Sequence, residues 1–145
     1  MKKFILAVAL LFALIGVSHA SVNSKHVILK DSAGTTMTDY TFSSAKTTDK
    51  VFVANNTGYM TLLIDVTSGT IDSITYEFSM DGTNWYTPYT TDGTTATSSD
   101  TVVTADFTTD RWIRIAPFLG NYVRFTITPS GSTVISASLI YQTAS

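Results

Sequence analysis

The sequence predicts an all-β protein, a single antiparallel sandwich of jelly-roll or immunoglobulin-like type. Three observations predict it. Beyond residue 20, apolar and polar residues alternate with a period of two; Thr, Val, Ile, Tyr and Phe dominate; and turn-forming Gly, Asn, Asp and Pro recur between short segments, with no helical run between them. Strands of this kind expose one face and bury the other, and two such sheets cover each other's apolar sides.

Residues 1–20 read as a secretory leader. Lys2 and Lys3 precede an apolar run from Phe4 to Val17, and Ser18-His19-Ala20 supplies small residues at −3 and −1. That run is shorter than the roughly 20 residues needed to span a bilayer, and no basic stop-transfer cluster follows it. The expected mature domain is therefore 21–145, with no membrane span after cleavage, secreted to the extracellular space or cell surface or held in the periplasm.

The strands follow in order. The first is expected at Val27, Ile28, Leu29 and Lys30, then at 39–42, 51–55 and 60–66. In 74–80, Ile74, Tyr76, Phe78 and Met80 share the inward face while Thr75, Glu77 and Ser79 face water. Further strands are expected at 85–89, 101–107 and 112–116. In 122–128, Val123, Phe125 and Ile127 point in and Arg124 points out; in 135–141, Ile135, Ala137, Leu139 and Tyr141 point in. The turns carry their own chemistry: Asp31-Ser32-Ala33-Gly34, Asn55-Asn56-Thr57-Gly58, Ser68-Gly69, Asp81-Gly82 and Pro129-Ser130-Gly131 supply positive φ or side chains that bond the local backbone. The stretch from Thr90 to Asp100 has no apolar residue larger than Ala and reads as a long exposed loop.

Composition excludes several function classes. The full chain carries a net charge of −2, and loss of the two leader lysines takes it to about −4, the wrong sign for nucleic acid or an anionic membrane surface. There is no cysteine, hence no disulfide, thiol nucleophile or cysteine metal site. The only histidine beyond the leader is His26, and no phosphate loop, nucleophile elbow or zinc-binding helix motif occurs. Glu77 with Asp65 is the best available carboxylate pair for glycoside hydrolysis, if the two lie on neighbouring strands. Asp81, Asn84, Asp92, Asp100, Asp106 and Asp110 offer oxygen donors without the dense spacing of a calcium loop. No catalytic residue, metal or organic cofactor is expected.

The string Ser79-Met80-Asp81-Gly82-Thr83-Asn84-Trp85-Tyr86 ends one strand, turns at Asp-Gly and opens the next at Trp85. This S-x-D-G-x-x-W hairpin resembles those of β-sandwich modules of discoidin-like and carbohydrate-binding type and of phage-tail-type sandwich domains. Trp112-Ile113-Arg114-Ile115, followed by Gly120-Asn121-Tyr122-Val123-Arg124-Phe125, is similar to the paired strands of such modules, each with an outward arginine. The resemblance implies a fold; ligand sites in such modules lie on variable loops, so it assigns no binding residue here.

Two functions stay open. In the first, the chain is an exported, non-enzymatic structural subunit that assembles with copies of itself into a filament or layer, with Val27, Ile28, Leu29 and Lys30 in a segment that pairs with a neighbour's sheet or folds into its own. In the second it is a carbohydrate-binding module whose partner is a polysaccharide. Alternation then exposes Trp112 and Arg114 together, and Tyr86 if Trp85 is buried; Arg124 is the other outward arginine. A small outer-membrane barrel also fits export and alternation, but several segments carry too few lipid-facing apolar positions.

Overall fold

The computed structural model describes residues 22–53, 60–87, 107–115 and 120–144. Nine strands are formed there: β1 (Val22–Ile28), β2 (Tyr40–Phe42), β3 (Lys46–Thr47), β4 (Val51–Phe52), β5 (Met60–Ser68), β6 (Ile71–Ser79), β7 (Arg111–Ile115), β8 (Tyr122–Pro129) and β9 (Thr133–Ala144). All pairings between them are antiparallel.

The first sheet runs β1-β9-β5-β7, with β2 also on β9. Because β5 takes one side of β9, β1 and β2 lie end to end along the other, β1 against Ser138–Ala144 and β2 against Thr133–Ile135. The second sheet is built the same way. β6 covers one side of β8 from Tyr122 to Pro129, and β3 and β4 share the opposite side. The outer side of β6 is met at its two ends by Tyr86, paired with Phe78, and by Phe107, paired with Ile71.

In chain order the polypeptide passes from the first sheet (β1, β2) to the second (β3, β4), back with β5, across again with β6, and then through β7, β8 and β9 in alternate sheets. The first and last strands lie side by side. That is the jelly-roll order; in the immunoglobulin order the last two strands share a sheet, whereas here β8 and β9 lie in opposite ones. The sequence left these two topologies open, and the crossing pattern selects the first.

Alternation builds the core. Leu62 and Ile64 from β5, Ile113 and Ile115 from β7, and Ile135, Ala137 and Leu139 from β9 are buried against Ile74, Val123, Phe125 and Ile127 of the opposite sheet. Tyr141 is buried too, and its hydroxyl donates to the Phe52 carbonyl at 3.0 Å. Among the described residues, every buried side-chain nitrogen and oxygen has a hydrogen-bond partner.

Two places depart from the simple pattern. A register shift between Ile71 and Ser73 lets both Ile71 and Ile74 reach the core although they are three residues apart. Met80, expected inward with Ile74, is 60% exposed because β6 ends at Ser79 and the chain is already turning. Ser79, expected in water, is buried; its hydroxyl accepts from the Gly82 N–H at 2.8 Å and donates to Asp81 at 3.0 Å.

Between β1 and β2 the chain leaves the sheet and returns. Leu29 donates to the Ala137 carbonyl and Ala137 donates to the Met37 carbonyl, both at 2.9 Å, so Leu29 and Met37 hold neighbouring places on β9. The residues between them cross to the other sheet, where Ser32 donates to the Thr47 carbonyl at 3.1 Å and Asp49 to the Lys30 carbonyl at 2.7 Å. Asp31 fixes this excursion. Its Oδ1 accepts from the Ala33 and Thr35 amides at 3.0 and 2.8 Å, and its Oδ2 accepts from the Tyr40 hydroxyl at 2.6 Å. The tyrosine hydrogen bond, followed by the Thr35 amide, holds the Asp31 carboxyl below the usual carboxylate range, and the same contact pushes Tyr40 up to about 12.

Candidate functional site: the outer face of the first sheet

The first sheet turns its inner face to the core and presents Ile28, Ser138, Leu63 and Trp112 outward on four successive strands. These residues form one straight row: Ile28 is opposite Ser138, Ser138 opposite Leu63, and Leu63 opposite Trp112. The short Ser138 and, two residues away on the same face, Ser136 leave the middle of the row low. Ile28 and Trp112 stand at its ends, 52% and 83% exposed. The result is an open trough of about 420 Å³ that His26 also lines.

One flank of the trough is acidic. Asp65 lies opposite Ser136 on the outer face, and Asp110, just before β7, accepts from the Val66 amide at 3.0 Å. A hydrogen bond to Asp110, then its charge, raises the Asp65 carboxyl above the ordinary range, and desolvation and the charge of Asp39 add to the rise.

Both margins of this sheet are one-sided. β1 pairs with β9 over all seven of its residues, and among the described residues no second strand pairs with it. β7 pairs with β5 and, among the described residues, with no second strand. Unpaired strand margins present alternate N–H and C=O groups to any strand that arrives.

The residues singled out in the sequence are divided between the two sheets. Trp112 and Arg114 share the outer face of β7, as expected, with Ile113 and Ile115 buried behind them. Tyr86 and Arg124 belong to the second sheet. Arg124 donates to Glu77 at 2.7 Å from the facing position on β6 and lies 4.2 Å over the half-buried Trp85 ring. Tyr86 is exposed beside Phe78. These four do not form one site.

Val27 and Ile28 end β1 in the chain's own first sheet, Leu29 stays bonded to β9 at Ala137, and Lys30 begins the excursion. Leu29 is buried at 1% exposure, whereas Ile28 next to it is half exposed. The proposed pairing of Glu77 with Asp65 is overturned: β5 and β6 are consecutive but lie in opposite sheets, so the two carboxylates do not flank a common substrate position. Glu77 is instead engaged with Arg124.

Among the turn acids, Asp81 spends its oxygens inside its own hairpin. Oδ1 accepts from the Thr83 and Asn84 amides, both at 2.8 Å, and Oδ2 accepts from Asn84 Nδ2 at 2.7 Å. The Asn84 amide is the largest of several bonds that hold this carboxyl far below its ordinary value. Asp92, Asp100, Asp106 and the loop from Thr90 to Asp100 lie outside the described residues, as does the leader. No group of three His, Asp or Glu side chains able to hold a metal ion occurs among the described residues.

The trough itself was not anticipated. Its signal was present in the alternation of β9, where Ser136 and Ser138 occupy outward positions between flanking strands with bulky outward residues. The missing information was strand order, which alone places Ile28, Asp65 and Trp112 around those serines.

No family model matches this chain, and no curated protein matches it. Among solved structures it is similar to a chain in the structure of the infectious bursal disease virus Gx strain, with 15% sequence identity and a TM-score of 0.48. The similarity covers 85% of this chain and 32% of that one, so the chain spans about a third of the length of the structure it matches.

Proposed function

We propose that this protein is an exported, non-enzymatic structural subunit that assembles with copies of itself at the cell surface or outside the cell, by adding strands to the margins of its first sheet. One observation carries the reading. β1 is a seven-residue strand paired on one side only, and its last residue, Ile28, is half exposed near Phe52, which is 58% exposed. A margin of that length can accept an extended segment through main-chain hydrogen bonds, with exposed apolar side chains adding burial. The same sheet has a second one-sided margin at β7, so a head-to-tail contact repeats from copy to copy and gives rings or filaments according to the rotation at each step. The leader read from residues 1–20 supports export.

The test is light scattering after size exclusion on residues 21–145 over a wide concentration range, with negative-stain microscopy of the same sample. Regular filaments or rings in the parent, lost in Ile28→Lys with the fold intact, are expected. A monomer at every concentration overturns the proposal.

A further inference from the structure

We propose that the trough across the outer face of the first sheet binds a neutral oligosaccharide, laid across the strands from Trp112 to Ile28. The span fits. Four strands at their usual spacing separate the two walls by about 14 Å, the length of a short oligosaccharide rather than of one ring.

Each part of the trough matches a part of such a ligand. The Trp112 indole, 83% exposed, offers an apolar face for the C–H side of a pyranose ring, and Leu63 continues that apolar surface next to it. Ser138 and Ser136 set hydroxyls in the floor; that of Ser136 already accepts from the Asp39 amide at 3.1 Å and keeps its proton to donate. The Asp65 and Asp110 carboxyls along one flank accept hydrogen bonds from vicinal sugar hydroxyls. A small number of polar groups converging beside an exposed aromatic ring is the pattern of a site that fixes orientation as well as contact.

The carboxyl pair also decides the charge of the occupant. It repels uronate or sulfated sugars, and the chain's net charge of −2 works the same way at longer range. A second copy of this chain is a less suitable occupant: the trough floor is hydroxyl-bearing and low, whereas self-association of sheet faces favours continuous apolar cover.

The experiment follows Trp112 fluorescence in the Trp85→Phe background, which leaves one indole, titrated separately with cellohexaose, maltohexaose, chitohexaose and polygalacturonate. A saturable blue shift with a neutral hexasaccharide and none with polygalacturonate is expected. Ser138→Leu, which fills the floor without touching either sheet margin, should weaken binding by about tenfold or more, the loss typical of blocking a central contact. Trp112→Ala, followed by calorimetry because the reporter is gone, should do the same, and Tyr86→Ala should change nothing. No saturable response to any neutral hexasaccharide up to about 10 mM, tenfold above a 1 mM Kd, overturns the assignment. So does equal binding of polygalacturonate, or binding unchanged by Ser138→Leu.

Discussion

Leu29→Ala and Ile28→Ala, one residue apart, report on how β1 is held. Leu29 is 1% exposed and its side chain is part of the core, whereas Ile28 is 52% exposed on the outer face. Truncating a buried leucine forfeits its transfer free energy and leaves a cavity that the surroundings fill only in part, a cost of about 3–4 kcal/mol. At a half-exposed isoleucine the loss is about 1 kcal/mol, since most of the removed surface was already in water. For a domain of this size each kcal/mol lowers the Tm by about 4 °C, so Leu29→Ala should melt about 12–16 °C below the parent and Ile28→Ala about 4 °C below. Urea denaturation followed by circular dichroism at a concentration where the protein is monomeric gives the free energies directly, with unchanged m-values as the check on two-state behaviour. Equal effects, or a Leu29→Ala loss under about 1 kcal/mol, would mean that the segment is not anchored in its own core and would refute the β1 placement.

Other outcomes follow from the turns and the titrating groups. Gly69, at the corner between β5 and β6, has φ +87°, and a Cβ there would lie 2.5–2.7 Å from Thr133 and Ser132 atoms, so Gly69→Ala should cost about 2–4 kcal/mol. Gly34 has the same φ with open space around it, and Gly34→Ala should cost about 1 kcal/mol or less, the backbone strain being offset in part by the stiffer unfolded chain; denaturation of the two variants separates backbone strain from overlap. The lowered Asp31 and Asp81 carboxyls contribute stability that is present above the ordinary value of 3.8 and is lost as the pH falls below it towards their folded values. Asp65 is raised, so its contribution has the opposite sign, present below 3.8 and lost as the pH climbs through its folded value. Tyr40, moved from 10.0 to about 12, contributes stability present below 10 and lost as the pH rises through 12. Melting against pH should thus show an acid limb flattened in Asp31→Asn and an alkaline limb flattened in Tyr40→Phe.

The strands with a buried face were legible because period-two alternation is the burial pattern itself. In β8 and β9 every residue expected inward, from Val123 to Ile127 and from Ile135 to Tyr141 in alternate positions, is buried. β1 was legible only at its end. Asn23, Ser24, Lys25 and His26 are all exposed, so their strand conformation comes from backbone pairing with β9 and leaves no hydrophobic alternation to read. β3 is two residues long and escapes any window. Met80 and Ser79 exchanged roles because the Asp81 turn takes over at the end of β6, where local side-chain bonds outweigh periodicity. At the candidate site, the exposure of Trp112 and Arg114 was readable from β7 alone. The acid pair was not, because Asp65 meets Asp110 through the pairing of β5 with β7, and the serine floor between Ile28 and Trp112 depends on β9 lying between β1 and β5. Proximity of that kind is a property of strand order, which a single sequence does not encode locally.

The most direct test of the assembly proposal is residue-resolved hydrogen exchange along β1 on dilute and on assembled protein. In the dilute monomer, alternate amides from Val22 to Ile28 should be protected by β9 and the intervening ones should exchange freely, as befits a strand paired on one side. Assembly should protect the intervening amides and leave the rest unchanged. The same alternating pattern in both states, with assembly nonetheless visible by light scattering, would contradict pairing at this margin.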